Sequence, residues 1–268
     1  MPDVTRRQLL RWIGAGGAGV ASGVIPFLAA AGQAGDAKGT AREQTLQSTG
    51  RQWVMVVDRK KCEGCTTIDK PPRCKAACKK EHFVPEEQNW MEVYEAPDEG
   101  GGTYFKPRPC QHCEKAPCEH VCPVEATYYN PDGLVLIDHE RCIGCRFCLA
   151  ACPFQARYFN WGKPENPPGA AFASYSPEYP VPHRIGTAEK CMFCGHRLRQ
   201  GKLPACVEGC PMQALWMGDL TEDVATNGTE AVRLSAFLHE RHAYRDKEEL
   251  GTRPRVFYLP GHGEDYGR

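Results

Sequence analysis

The sequence predicts an α+β, loop-rich fold, and three features of the chain lead to this prediction. Four short runs have the composition of β-strands, and one later segment has helical spacing. Glycine (27 residues) and proline (22 residues) are abundant. Only 41% of the residues are hydrophobic, even when the 16 cysteines are included. Because apolar burial is limited, we expect such a chain to need another source of stability.

The β-like runs are short and are separated by turns. They cover residues 53–57, 134–137, 157–161 and 256–259. The sequence Asn-Pro-Asp-Gly at 130–133 predicts a turn immediately before the second run. Apolar residues recur with roughly helical spacing from Val232 to Leu238, which predicts a helix within 232–250.

The N-terminal segment has the composition of an export signal. Arg6 and Arg7 precede a run of small and apolar residues. Paired arginines in this position indicate the twin-arginine route, so residues 1–34 are predicted to be a signal peptide and the protein to be periplasmic. Residues 35–50 are polar and are predicted to be a linker. An uncleaved membrane anchor is the alternative, although Pro26 and the glycines suit a signal better.

The charge balance argues against nucleic acid as a partner. Lysine plus arginine and aspartate plus glutamate each total 33, so the formal net charge is zero. A chain without net charge produces no strong field to attract a polyanion or an acidic lipid surface.

The cysteines form an internal repeat of four sets with four members each. Every set opens with C-x2-C and closes with C-x3-C, and only the middle gap varies. The sets are Cys62, Cys65, Cys74, Cys78; Cys110, Cys113, Cys118, Cys122; Cys142, Cys145, Cys148, Cys152; and Cys191, Cys194, Cys206, Cys210.

The third set matches the bacterial ferredoxin run C-x2-C-x2-C-x3-C-P at every position. Thiolates at this spacing can bind iron corners while backbone N–H groups point at the sulfides. In two-cluster ferredoxins the fourth cysteine of the run ligates the other cluster. Since 16 thiolates are the number that four Cys₄ clusters require, the sequence predicts four [4Fe–4S] clusters.

Zinc is the main alternative, because four structural zinc sites would also use 16 cysteines. Zinc ribbons pair two C-x2-C knuckles across about 15–20 residues. Here each closing pair is C-x3-C, and proline follows it in three sets, at Pro123, Pro153 and Pro211. The even number of cysteines would also permit eight disulfides, but C-x2-C repeats are poorly suited to disulfides that close long loops. The chain has no C-x-x-C-H, which excludes attached c-type haem.

Charged and histidine side chains near the cysteines could tune cluster potentials. Lys61, Arg141, Arg146 and Lys190 would raise the potentials if they face the clusters, and are otherwise ordinary solvated charges. His112, His120 and His196 lie inside or beside the cysteine sets and could act similarly or simply pack there.

The cysteine sets and their flanking segments resemble a known family. The chain is similar, over about residues 52–260, to the four-cluster iron–sulfur subunits of the complex iron–sulfur molybdoenzymes. These include the dimethyl sulfoxide reductase family and the subunits that accompany NrfD-type membrane quinol proteins. The resemblance rests on residues 109–123, 132–138, 141–154, 189–194, 204–211 and 218–220.

The resemblance implies two ferredoxin-like dicluster units packed in tandem, with fourth ligands exchanged between sets. The implied clusters are Cys110/Cys113/Cys118/Cys152, Cys142/Cys145/Cys148/Cys122, Cys62/Cys65/Cys74/Cys210 and Cys191/Cys194/Cys206/Cys78. The first set departs from the family pattern, because eight residues separate Cys65 from Cys74 where many relatives have two, and Lys79 stands in place of proline.

The domain boundaries follow from the implied cluster pairing, from the Pro-rich and cysteine-free segment at 163–183, and from the absence of cysteine after Cys210. The outer unit would comprise 51–108 and 184–220, and the central unit 109–162, with a Pro-rich connection at 163–183. Residues 221–268 would form a helical C-terminal tail. The implied function is non-catalytic: relay of single electrons between an integral membrane quinone or quinol subunit and a molybdopterin-type catalytic subunit. A stand-alone reductase would need a cluster with a non-cysteine ligand, for which the sequence leaves no vacancy.

Overall fold

The computed structural model describes residues 50–66, 71–97, 103–168 and 174–261. The described residues all belong to one compact unit. The predicted signal peptide and almost all of the predicted linker lie outside the described residues. Within the described ranges, no helix combines the length and apolar character that a membrane span requires.

The described elements are short and mixed, which confirms the α+β prediction. The strands are β1 (Trp53–Asp58), β2 (Glu92–Pro97), β3 (Thr103–Arg108), β4 (Thr127–Tyr129), β5 (Val135–Ile137), β6 (Tyr158–Phe159), β7 (Ala188–Glu189), β8 (Leu215–Asp219), β9 (Val224–Thr226), β10 (Ala231–Arg233), β11 (Tyr244–Arg245) and β12 (Val256–Leu259). The α-helices are α1 (Arg73–His82), α2 (Pro117–His120), α3 (Phe147–Ala151), α4 (Gly195–Arg199), α5 (Ala205–Glu208) and α6 (Leu234–Glu240).

A six-stranded sheet separates two cores. Its strand order is β10-β9-β8-β1-β12-β11, with β1 parallel to β12 and antiparallel to β8. Successive side chains of a strand point to opposite faces. Val54 and Val56 therefore pack with Trp216 on one face, while Met55 and Val57 join the core that contains buried cysteines. The sheet thus forms a wall beside the cysteine-rich region.

All four β-like runs of the sequence contain strands, although the third is shorter than predicted. The turn at 130–133 is also present. The side-chain Oδ1 of Asn130 accepts hydrogen bonds from the N–H groups of Asp132 and Leu134, at 3.1 and 2.8 Å. Gly133 has a φ of +77°, which favours glycine at this position.

The prediction of a helical C-terminal tail is wrong beyond α6. This helix ends at Glu240. Strands β9 and β10 precede it in the sequence, strands β11 and β12 follow it, and all four belong to the six-stranded sheet. Helical spacing ends after Leu238, and His242 has a φ of +49° that stops the helix. Pairing of β12 with β1 then buries apolar side chains that an isolated tail would expose.

Two pairs of helices bring distant cysteine sets together. Helix α1 packs against α5, and α2 packs against α3. Helices α1 and α5 can approach closely because Gly209 has no side chain. A Cβ at this position would lie only 2.8 Å from the Cβ of Ala77. Strand β6 also pairs with β7, so main-chain hydrogen bonds join the predicted central and outer units.

Candidate iron–sulfur centres

Each C-x3-C pair lies at a short helix. Cys74 and Cys78 are on α1, whereas Cys206 is on α5 and Cys210 follows its end. The second and third sets repeat this arrangement at α2 and α3. A helix completes a turn in 3.6 residues and rises about 1.5 Å per residue. The two thiols of a pair therefore lie on a similar side, about one turn apart along the helix.

The paired helices place the fourth cysteine of one set among the first three of another. Cys210 lies beside Cys62 and Cys74, and these three line one cavity with Cys65. Cys78 lies beside Cys191, Cys194 and Cys206. We name these sets group A (Cys62, Cys65, Cys74, Cys210) and group B (Cys78, Cys191, Cys194, Cys206).

Helices α2 and α3 bring the second and third cysteine sets together in the same way. Cys152 lines a cavity with Cys110, Cys113 and Cys118, and Cys122 lies beside Cys142 and Cys148. Cys145 is positioned with these last two by its place in their loop. We name these sets group C (Cys110, Cys113, Cys118, Cys152) and group D (Cys122, Cys142, Cys145, Cys148).

The groups follow one another in the order A, B, C, D. Cys74 of group A is next to Cys78 and Cys206 of group B. The Cys191 thiol of group B accepts a hydrogen bond from the backbone N–H of Cys110 in group C. All four thiols of group B are buried, whereas all four of group D are half-buried. Group B is therefore the interior member of the series, whereas half-buried thiols occur at both group A (Cys62 and Cys210) and group D.

The thiols resist ionisation in this environment. Burial raises the pKa of Cys62 and of Cys191 to about 11. Burial and the neighbouring Cys110 thiol raise the pKa of Cys113 to about 12. The ionised form of these thiols is therefore unfavourable unless positive charge is bound beside them, as it is when a metal coordinates and deprotonates a thiol. The donor sets therefore fit a cationic, thiolate-bound cofactor.

The positions of the thiols do not match a site for a single metal ion. In a tetrahedral zinc site with Zn–S bonds of about 2.3 Å, the sulfur atoms lie about 3.8 Å apart. Among the described residues, which include all 16 cysteines, no three His, Cys, Asp or Glu side chains converge closely enough to hold one metal ion. The four groups therefore do not have the geometry of structural zinc sites.

Two buried side chains that the sequence analysis missed contact the cysteine sulfurs. The Nε2 of His82 lies 3.1 Å from the Sγ of Cys194, and burial lowers the pKa of His82 to about 3. A neutral imidazole can donate its Nε2–H to a thiolate. The guanidinium of Arg157 donates to the Sγ of Cys118 at 3.0 Å. Neither residue belongs to a cysteine motif, so spacing gave no signal for them.

The cations that the sequence did single out are mostly solvated. Lys61 and Arg141 have side chains 38% and 39% exposed and pair with Glu230 and Glu125, and Arg146 is exposed. Lys190 is different, because it is buried and its Nζ donates to the carbonyl of Cys191 at 2.8 Å.

The histidines named from the sequence have no contact with a cysteine sulfur among the described hydrogen bonds. His112 is buried; its Nδ1 accepts from Val135 N–H at 3.1 Å, which leaves Nε2–H to donate to the carbonyl of Cys191 at 3.0 Å. His196 pairs with Glu81, and the side chain of His120 is 72% exposed. His112 therefore fixes the backbone of a cysteine loop.

An exposed apolar surface surrounds group D. We call it the group D surface; its members are Ile143 (64% exposed), Phe147 (58%), Trp161 (71%) and Ile185 (60%). The loops that carry them touch one another, since Gly186 N–H donates to the carbonyl of Asn160 at 2.8 Å. The carbonyl of Gly186 also crowds the position that a Cβ on Gly144 would occupy.

Comparison with known proteins agrees with this geometry. Two models of a 4Fe-4S dicluster domain match the chain, at residues 102–166 and 141–214. A selenate reductase subunit of Mesobacillus selenatarsenatis is 40% identical over 78% of this chain and 72% of its own length. The iron–sulfur cluster-binding subunit of menaquinone reductase from Nitratidesulfovibrio vulgaris is 38% identical over 78% and 88%. A tetrathionate reductase subunit of Salmonella typhimurium is 32% identical over 96% and 88%.

Proposed function

Because this chain belongs to the family of four-cluster iron–sulfur subunits of reductase complexes, we propose that it relays single electrons between a membrane quinone or quinol subunit and a molybdopterin-type catalytic subunit. It binds four [4Fe–4S] clusters and is an electron-transfer subunit, not a catalytic one. Groups A to D are proposed as the four ligand sets. When bound, each cluster supplies one-electron redox chemistry at a potential that its surroundings set.

The observation that carries this proposal is the serial arrangement of the cysteine groups. Groups A and B adjoin, groups B and C share the contact between Cys191 and Cys110, and Arg157 joins C to D. Four one-electron centres in series form an electron-transfer chain rather than a catalytic pocket. Half-buried thiols occur at groups A and D, so partners can exchange electrons at both ends of this series.

Metal analysis tests the cofactor assignment and distinguishes it from a zinc-stabilised module. Anaerobically purified protein should contain about 16 iron and about 16 acid-labile sulfide per chain, because each cubane holds four of each. It should also give paramagnetic signals on reduction. A zinc module would contain about four zinc and no sulfide. Colourless protein without labile sulfide would contradict the proposed function.

We propose that the membrane subunit docks on the group D surface. The surface is apolar, lies over the most accessible cysteines and is built from rings and aliphatic side chains that face solvent. Arg146 stacks on Trp161, with 4.6 Å between the guanidinium carbon and the ring centre, and fixes that ring. An apolar patch of this kind marks an interaction site. Group A then faces the catalytic subunit.

Charged substitutions on the group D surface should slow electron transfer from quinol to the clusters without loss of the clusters themselves. We expect Phe147→Glu with Ile185→Glu to reduce quinol-dependent reduction of the clusters by at least about tenfold, because a desolvated charge opposes docking. Iron content should stay at about 16 per chain. The measurement is stopped-flow bleaching of cluster absorbance in membranes that contain the complex.

Leu220→Glu provides the control for this experiment, because Leu220 is also exposed (41%) but follows the end of β8 in the six-stranded sheet. It should leave quinol-dependent reduction nearly unchanged. Equal losses in both variants would show that a surface charge acts non-specifically. Unchanged rates in the Phe147/Ile185 variant would place docking elsewhere.

The proposed location is periplasmic, at the membrane through the partner subunit. The argument is the Arg6-Arg7 pair followed by the small and apolar run, which lies outside the described residues. Twin-arginine export carries folded proteins, so clusters assembled in the cytoplasm could travel with the chain.

A further inference from the structure

Arg157 occupies a position between the two central cysteine groups. It precedes β6, and its side chain is buried, with the residue 6% exposed. Its Nη2 donates to the Sγ of Cys118 in group C at 3.0 Å, and it also hydrogen-bonds the thiol of Cys148 in group D. Its Nη1 donates to the Oγ1 of Thr127 at 3.1 Å, which holds the guanidinium in place. One cation therefore contacts both groups.

The charges around Arg157 explain why a buried guanidinium is tolerated there. Burial by itself lowers the pKa of Arg157, but the thiols of Cys118, Cys148 and Cys110 raise it above its ordinary value. A buried charge is costly unless an opposite charge compensates for it. The compensating groups here are cysteine sulfurs, which carry negative charge when they ligate iron. The Nε of Arg157 is a buried donor without a partner among the described residues, which suits an additional acceptor on a bound cluster.

We propose that Arg157 is a positioning residue shared by two clusters, which raises the reduction potentials of the group C and group D clusters together. This inference rests on the proposed cluster assignment. Reduction adds one negative charge to a cluster, and a cation at hydrogen-bond distance stabilises that charge strongly where the dielectric is low. Because the same guanidinium contacts both sulfurs, it also screens the repulsion between the two reduced clusters.

Potentiometric titration of the full four-cluster chain, followed by paramagnetic resonance, tests this role. In Arg157→Gln, the reduced-to-oxidised ratio of the group C and D clusters at fixed ambient potential should fall at least about tenfold, equivalent to about 59 mV for one electron. The clusters of groups A and B should shift less than about twofold, since they lie outside hydrogen-bond reach of Arg157. Variants Cys113→Ala and Cys142→Ala identify which signals belong to groups C and D.

Two further variants control for charge and geometry. Arg141→Gln removes a solvated arginine next to Cys142 and should change every ratio by less than about twofold, because water screens its charge. Arg157→Lys keeps the charge but replaces the planar fork with a single ammonium. We expect it to preserve the potential of one of the two clusters and lower that of the other.

The outcomes separate this inference from the cofactor assignment. Unchanged potentials in an Arg157→Gln protein with full iron, or equal shifts in all four clusters, would overturn the role of Arg157 and leave the four-cluster assignment intact. If Arg157→Gln loses iron, the Arg157→Lys titration decides: two unshifted potentials with full iron would refute the shared bidentate contact. Wild-type protein without iron and sulfide would instead refute the proposed function.

Discussion

Replacing Cys210 with alanine should remove the same cluster as replacing Cys62, although the two residues belong to the fourth and first cysteine sets. The structure places both in group A, where they line one cavity with Cys65 and Cys74. A cubane that loses one thiolate is either lost or reduced to a three-iron core. Each single variant should therefore fall from about 16 iron to about 12 per chain if the cluster is lost, or to about 15 if a three-iron core remains, with loss of one [4Fe–4S] paramagnetic signal in either case. The signal lost should be the same in both variants.

Double variants make this test of ligand exchange quantitative. Cys62→Ala with Cys210→Ala should lose no more than one cluster, because both changes affect group A. Cys62→Ala with Cys78→Ala should lose two, since Cys78 lies with Cys191, Cys194 and Cys206. Non-additivity within a group and additivity between groups is the expected pattern. If the Cys62/Cys78 double variant loses only one cluster, each set keeps its own four ligands and the proposed exchange is wrong.

Cys74 is the residue for which this experiment matters most. Eight residues separate it from Cys65, and a ligand loop of that length does not match the family spacing. In the structure Cys74 is buried at the start of α1, beside Cys62 and Cys210. The helix, rather than the preceding loop, fixes its position. Cys74→Ala should therefore share the phenotype of Cys62→Ala.

The sequence was sufficient for the cysteine sets and for four of the twelve described strands, for physical reasons that are local. The ferredoxin spacing of Cys142 to Cys152 is a property of one loop and one helical turn. The strand β12 was predictable because its apolar residues 256–259 are consecutive. The turn before β5 needed only the side chain of Asn130 and the permissive backbone of Gly133. None of these features requires knowledge of a distant contact.

Features that depend on distant contacts could not be read from the sequence. His82 reaches Cys194, and Arg157 reaches Cys118, through packing of elements far apart in the chain. The end of α6 was misjudged for the same reason. Tertiary pairing with β1 favours a strand at residues 256–259 and draws the preceding segment into β11, where local helical spacing alone suggested more helix. Lys61 and Arg141 adjoin cysteines in sequence and were therefore candidates for tuning the cluster potentials, but their side chains are solvated.

Removing iron should unfold the region around groups C and D before it unfolds the six-stranded sheet. The apolar cluster in this region consists of Ala116, Val135 and Phe154 together with two cysteines, Cys113 and Cys118. Its β-structure is confined to two-stranded pairs, which are marginal in isolation. Its helices α2 and α3 have four and five residues, too few for independent stability. Cluster binding therefore supplies much of the local folding free energy, as in structural zinc sites worth about 10–16 kcal/mol.

The large sheet has its own support, which makes the loss uneven. One of its faces packs Val54, Val56, Trp216, Leu234 and Leu259 together without any cysteine. After anaerobic chelation, hydrogen exchange should accelerate at least ~100-fold in residues 113–122 and 142–152 but less than ~10-fold in β1 and β12. Iron and sulfide together should restore protection, and zinc alone should not, because the thiols do not converge on a single ion. Uniform exchange across the chain, or protection that survives complete iron removal, would mean that apolar packing rather than cluster binding stabilises this region.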